Sequence, residues 1–272
     1  MKLLAIIEYT FREGLARKTI IGFFIISSFF LLLALLGAIF MPSTIDIGNA
    51  QTGQEAVNIM SNEEVVRGVQ AFLTGFINFA ALVLSIFATA SILPNTMEKG
   101  SIDLLLSKPV SRDHILFGKF IGSLLIVIVN VAYYIIGMWL IFGIRTGFWN
   151  TGFLAVTLSI TFTFLVLYTP MMVIGIASRS SALTIILLYI YLFLVSPILE
   201  ARQIIADLVK NDIVKQVLDV IYYPLPKPDA LGMLSRNLVI DQPIDWMPVW
   251  TSALFALAMY ALAMLIFRRK DF

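Results

Sequence analysis

The chain has 272 residues, of which 60% are hydrophobic and only 13% charged, with a formal net charge of +2. Soluble domains carry about 25% charged residues, so this composition is that of an integral membrane protein. Cysteine is absent and His114 is the only histidine, which excludes disulfides, thiol nucleophiles and zinc sites built on Cys or His.

Residues 1–18 come first. Leu4, Ile7, Phe11 and Leu15 recur at helical spacing, and Glu8 with Arg12 and Glu13 with Arg17 stand four residues apart. That pattern predicts an amphipathic helix lying in the inner membrane interface, at its least an anchor. The same charges interrupt any apolar run that a cleavable signal would need. A bilayer core takes on the order of 20 apolar residues per helix. Six runs meet that requirement: 20–40, 71–93, 115–144, 152–177, 182–199 and 247–267. The predicted fold class is therefore an all-α integral membrane protein, one domain over 1–272, with both ends on one side. Placing the ends inside puts twelve of the 19 Lys and Arg residues on the inner side, as the positive-inside bias requires.

The first outer loop, 41–69, closes on Ser61-Asn62-Glu63-Glu64. This is a capping box whose Ser61 and Glu64 satisfy the first free amides of a helix projecting beyond the membrane. Glu63, Glu64 and Arg67 also approach the paired-Glu motif of prenyl-endopeptidase membrane proteases. Arg67 stands one residue short of that spacing and the required histidines are missing, so capping is the better reading.

The second span ends at Pro94, and a polar hairpin, 94–114, follows on the inner side. Gly100 allows a sharp re-entry, Ser101 caps a short helix running through Ser107, and Pro109 stops it. Ser111 then caps the third span, with Asp113 favourably placed in its first turn. Ile102, Leu104, Leu105 and Leu106 stand among charges on this short helix. At about 25 cal/mol per Å2, covering two or three leucines is worth several kcal/mol, so the helix is expected to dock into a partner. Lys119, a few residues into the third span, is expected to snorkel to the interface.

No Asp, Glu, Lys or Arg falls near the middle of any span, which argues against an ion-coupled carrier. The neutral polar residues Asn78, Ser85, Thr89, Asn130, Thr157, Thr161 and Tyr168 either line a substrate path or hold helices together. Between 200 and 246 the pattern is one or two amphipathic helices with a break at Asn211-Asp212, then an extended turn enforced by Pro224, Pro226 and Pro228. Asp229 is expected to cap a short helix, and Trp246 and Trp250 to mark the outer interface. This segment packs on the bundle, lids an exit or meets an outer-face partner.

The hairpin resembles the signature of the type-two family of ATP-binding-cassette export permeases. That pattern is an acidic residue, Gly-Ser/Thr, a leucine pair, Ser-x-Pro, Ser-Arg and Gly-Lys. It is matched by Glu98, Gly100, Ser101, Leu104, Leu105, Ser107, Pro109, Ser111, Arg112, Gly118 and Lys119. The closest likeness within the family is to the permeases of the nitrous-oxide-reductase maturation and gliding-motility type. The resemblance implies that 94–114 is a cytoplasmic coupling hairpin and that the chain is a permease in the inner membrane of a prokaryote. It pairs as a homodimer or with a second permease, over two copies of a separate ATPase. Leu104 and Leu105 would form the docking face, Gly100 and Pro109 the turns, and Glu98, Arg112 and Lys119 polar contacts that brace the hairpin or touch the ATPase. ATP and Mg would sit on that ATPase, because this chain has no Gly-x-x-x-x-Gly-Lys-Ser/Thr loop and is expected to bind no cofactor, metal or nucleic acid. The alternative function is a membrane transmitter that moves no cargo and relays ATPase motion to an outer-face partner. An intramembrane enzyme is the weakest reading, for want of a catalytic constellation.

Overall fold

A computed structural model of the chain describes residues 2–16, 18–40, 62–97, 111–209 and 212–270. Among these residues every regular element is helical. The elements are α1 (Lys2–Ala16), α2 (Lys18–Phe40), α3 (Asn62–Thr89), α4 (Ile92–Thr96), α5 (Arg112–Thr146), α6 (Thr151–Ser178) and α7 (Ser181–Ile190). After them come a π-helical segment (Tyr191–Val195), α8 (Ser196–Glu200), α9 (Arg202–Val209), α10 (Asp212–Tyr222), α11 (Pro228–Ile240) and α12 (Met247–Arg269). Among the described residues six stretches are long and apolar enough to cross a bilayer: 20–37, 63–96, 112–146, 151–178, 181–200 and 247–269. The chain is a multi-pass membrane protein.

Local chemistry sets the boundaries. Ser111 caps α5 by accepting from the His114 amide, and Asn150 and Ser180 cap α6 and α7 in the same way. Gly147, at φ 74°, closes α5 in the left-handed conformation that glycine adopts without a Cβ penalty. α6 is apolar on all sides, the signature of a helix surrounded by others. It is the hub of the bundle, packed against α3, α5, α7, α11 and α12. Phe164, Tyr168, Phe120 and Tyr260 form a continuous aromatic stack between α6, α5 and α12, with ring centroids 5.2–5.9 Å apart.

Three expectations need correction, and one span carries a break that the sequence did not announce. The second span does not stop at Pro94: after a turn at Ala90 and Ser91 the chain resumes as α4, which contains Pro94. The fifth span is not uniform, since a π-helical turn separates α7 from α8, just ahead of Pro197, whose ring cannot continue the ordinary ladder. Asp229 does not cap α11. Lys227 occupies the cap position without a side-chain bond, and Asp229, in the first turn, instead accepts a hydrogen bond from Ser196 Oγ at 2.5 Å. Finally, Lys119 does not snorkel. The capping residue Ser61 and the break residue Asn211 lie outside the described residues.

Candidate functional site

Residues 98–110 lie outside the described residues, and with them Glu98, Gly100, Ser101, Leu104, Leu105, Ser107 and Pro109. What the structure does place is the pair of flanks to either side of 98–110, Met97 on one side and Ser111 with the first turns of α5 on the other.

The frame is built from three directions. On the N-terminal side α1 lies along α5 at closest range because Gly118 and Gly122, one turn apart, leave a notch. A Cβ on Gly118 would fall 2.5 Å from Ile6 Cγ2, and one on Gly122 would fall 2.6 Å from Thr10 Cβ. Small residues at this spacing let helix backbones approach. Between them Lys119, only 1% exposed, donates to Glu13 Oε2 at 2.6 Å, with its ammonium 5.0 Å from the Tyr9 ring centroid. An ammonium buried this deeply needs a carboxylate partner. α1 supplies one, so Lys119 joins α1 to α5.

On the C-terminal side Arg268 of α12 holds Asp113 with two hydrogen bonds, at 2.7 and 2.5 Å. Arg112 Nη1 donates to the carbonyls of Arg268 and Lys270, at 3.1 and 2.6 Å. Lys270 Nζ in turn donates to the carbonyls of Ile176 and Ala177 at the inner end of α6. Burial and the neighbouring Arg179 together hold the Lys270 ammonium below its ordinary pKa. From the third direction α4 packs on α6, where Pro94 lies against Gly175. One end of each of α1, α4, α5, α6 and α12 therefore joins in one collar around the two flanks of 98–110.

The neutral polar residues are not gathered on one path. Asn130, buried between α2, α3 and α5, accepts from Ser27 Oγ at 2.9 Å and leaves its own Nδ2 without a partner. Asn78 lines a different cleft, between α3, the π-helical segment and α11. Ser85 and Thr89 are buried on α3, where Thr89 bonds the Ser85 carbonyl at 2.7 Å. Thr161 is buried on α6 with an unpartnered hydroxyl, and Thr157, one turn away, is half-buried. Tyr168 donates to Ser123 at 2.7 Å.

Sequence reasoning missed a polar knot around α9 and α10. Arg202 pairs with Asp219 at 3.1 Å and covers the Tyr222 ring at 3.5 Å, while the Tyr222 hydroxyl donates to Glu200 at 3.2 Å. Burial, together with the Glu200 carboxylate, pushes the Tyr222 pKa up to about 12. Lys227, 3% exposed, donates to the Tyr223 carbonyl and to Thr251 Oγ1, and burial pulls its pKa down. It also missed Glu13 as the partner of Lys119, although a lysine inside a span is itself a signal that a carboxylate must be near.

Comparison with curated proteins returns no match. A family profile described as ABC-2 family transporter protein matches residues 4–272. Such a chain is the membrane component of an ATP-binding-cassette transporter, not itself catalytic, and membership implies pairing with an ATPase subunit. By that match, and by its bundle of six membrane-crossing helices, the chain belongs to the ABC-2 family of transporter proteins.

Proposed function

We propose that this chain is the permease subunit of an exporter. Its 94–114 hairpin seats in a separate ATP-binding-cassette ATPase, which carries the ATP and Mg, and passes nucleotide-driven motion to the spans. The observation that supports the reading most is the collar. Arg112, Asp113 and Lys119, within the first two turns of α5, are tied to the α12 end on one side and α1 on the other. A force on the hairpin then moves the inner ends of the bundle together, because packed interiors transmit strain. The working unit is two permease chains over two ATPase copies in the inner membrane of a prokaryote, with both termini cytoplasmic. The excess of Lys and Arg assigned to that side supports this orientation. Within the family, the likeness to the nitrous-oxide-reductase maturation and gliding-motility type carries over as part of the proposal.

Leu104→Asp and Leu105→Asp test the reading directly. Each is expected to abolish co-purification of the ATPase while leaving the thermal melting of the permease unchanged; retained co-purification and ATP turnover would refute it. The second reading, a transmitter without cargo, draws on the outer face. There α9 and α10 leave Leu208, Ile213 and Val220 more than two-thirds exposed. ATP-dependent flux of cargo in reconstituted vesicles favours the exporter, and outer-partner binding without flux favours the transmitter.

A further inference from the structure

On the outer half of the bundle a cleft of about 390 Å3 opens between α3, the π-helical segment and α11. Its level in the bundle is fixed by two contacts. The Lys227 amide donates to Ser252 Oγ and its ammonium to Thr251, so the N-terminus of α11 stands one to two turns inside the outer end of α12. From there α11 rises to Val239, whose carbonyl accepts from Asn150 at the outer end of α6. The cleft runs alongside this climb, between α3 and α11.

Three polar groups line it, and none is satisfied by the others. Asn78 is 6% exposed, and its Oδ1 has no hydrogen-bond partner among the described residues. Its amide nitrogen would lie 2.7 Å from a Cβ on residue 232, so the glycine there leaves room for the Asn78 side chain. Asp229 and Arg236, two turns apart on α11, both line the cleft, and no ion pair joins either to another charge among the described residues. Asp229 is oriented by Ser196. The remaining wall is apolar, with Phe79 and Phe193 packed at 5.5 Å between centroids. A carboxylate and an unpartnered carbonyl oxygen call for a ligand that donates several hydrogen bonds and carries positive charge, and a guanidinium calls for an anion.

We propose that this cleft binds the head of an amphiphile carrying a primary amine beside a phosphate. The amine sits at Asp229 and Asn78, the phosphate at Arg236, and the apolar chain lies along Phe79 and Phe193. The inference deepens the exporter reading by naming the chemical class of molecule handled at the outer leaflet. The shared recognition element is the aminophosphate, and the apolar wall assigns it to a lipid rather than to a soluble aminophosphate.

The test is native mass spectrometry of the full-length permease in detergent, titrated with phosphatidylethanolamine or phosphatidylglycerol of identical acyl chains. The wild type is expected to retain phosphatidylethanolamine roughly tenfold better, the difference one charge-assisted hydrogen bond makes. Asp229→Asn should erase that preference, Arg236→Gln should weaken both lipids together, and free phosphoethanolamine at the lipid's concentration should displace neither. Equal retention of the two lipids by the wild type, or an unchanged preference in an Asp229→Asn protein with wild-type melting, overturns the proposal. So does displacement by free phosphoethanolamine. Should Asp229→Asn fail to fold, Asn78→Leu removes the other acceptor without touching the bond to Ser196; it is expected to lower the same preference, and an unchanged preference overturns the proposal. Binding is read without ATPase or flux, so its failure leaves the exporter reading standing, and failure of that reading leaves the binding result intact.

Discussion

Lys119 and Glu13 show how much one residue pair can decide. The ammonium is 1% exposed and its carboxylate partner 23% exposed, so removing either side leaves a charge with little water to solvate it. Breaking a buried pair this way typically costs about 3–5 kcal/mol. The partial exposure of Glu13 places Glu13→Gln at or below the lower end of that range, and Lys119→Met should cost less, because the stranded carboxylate is the more hydrated of the two. Thermal melting of the purified variants checks the order. The exposed Asp113–Arg268 pair is the contrast: at more than one-third exposure solvent screens its two hydrogen bonds, and they add little to stability. Asp113→Asn is therefore expected to shift stability little. At Tyr222 the folded pKa of about 12 lies above the ordinary 10.0, so the unfolded chain loses this proton first as pH rises. The resulting stability is present in full below pH 10 and is lost through about pH 12. Melting temperature should fall across that window in the wild type and fall less steeply in Tyr222→Phe.

The elements that matter most are short or atypical. α1 grips α5 through a two-glycine notch, and Gly122→Leu should prise the two helices apart. Overpacking a close contact costs typically 1–3 kcal/mol. Thermal melting of Gly122→Leu checks the contact: a lowered melting temperature is expected, and wild-type melting would show that the notch does not set the distance.

The span-forming helices were readable from sequence because each carries a long apolar run, and Ser111 was readable as a cap because the hydroxyl precedes the run. α11 was harder. Its Leu231, Ser235 and Val239 form a buried stripe four residues apart, but with a serine in the middle and Asn237 and Arg236 beside it the helix reads as a surface element. The short side chains of Gly232 and Ser235 instead let it pack against α3 and α6. The π-helical turn carries no composition signal beyond the proline that follows it, and Glu13 looked like one member of an i,i+4 pair on its own helix. Its role appears only once α5 is laid beside α1.

At the scale of the whole molecule, the collar gathers at the C-terminal end of α6 and α11 packs toward its N-terminal end. The collar joins the two chain ends to the root of the hairpin, and α11 joins the outer ends of α3 and α6 through Asn150, which bonds both Gln70 and Val239. Under the proposed coupling, motion delivered at the collar would reach the cleft through helices that are continuous over most of the bundle, which would then act as a lever. That account stands only if the hairpin faces the cytosol and is covered there by the ATPase. The most direct measurement is labelling of a single cysteine at Ser107→Cys, in an otherwise cysteine-free chain, with a membrane-impermeant maleimide. Labelling is expected in inside-out vesicles only and is expected to be blocked when the ATPase is bound. Labelling from the outer side, or no change on adding the ATPase, would contradict the account.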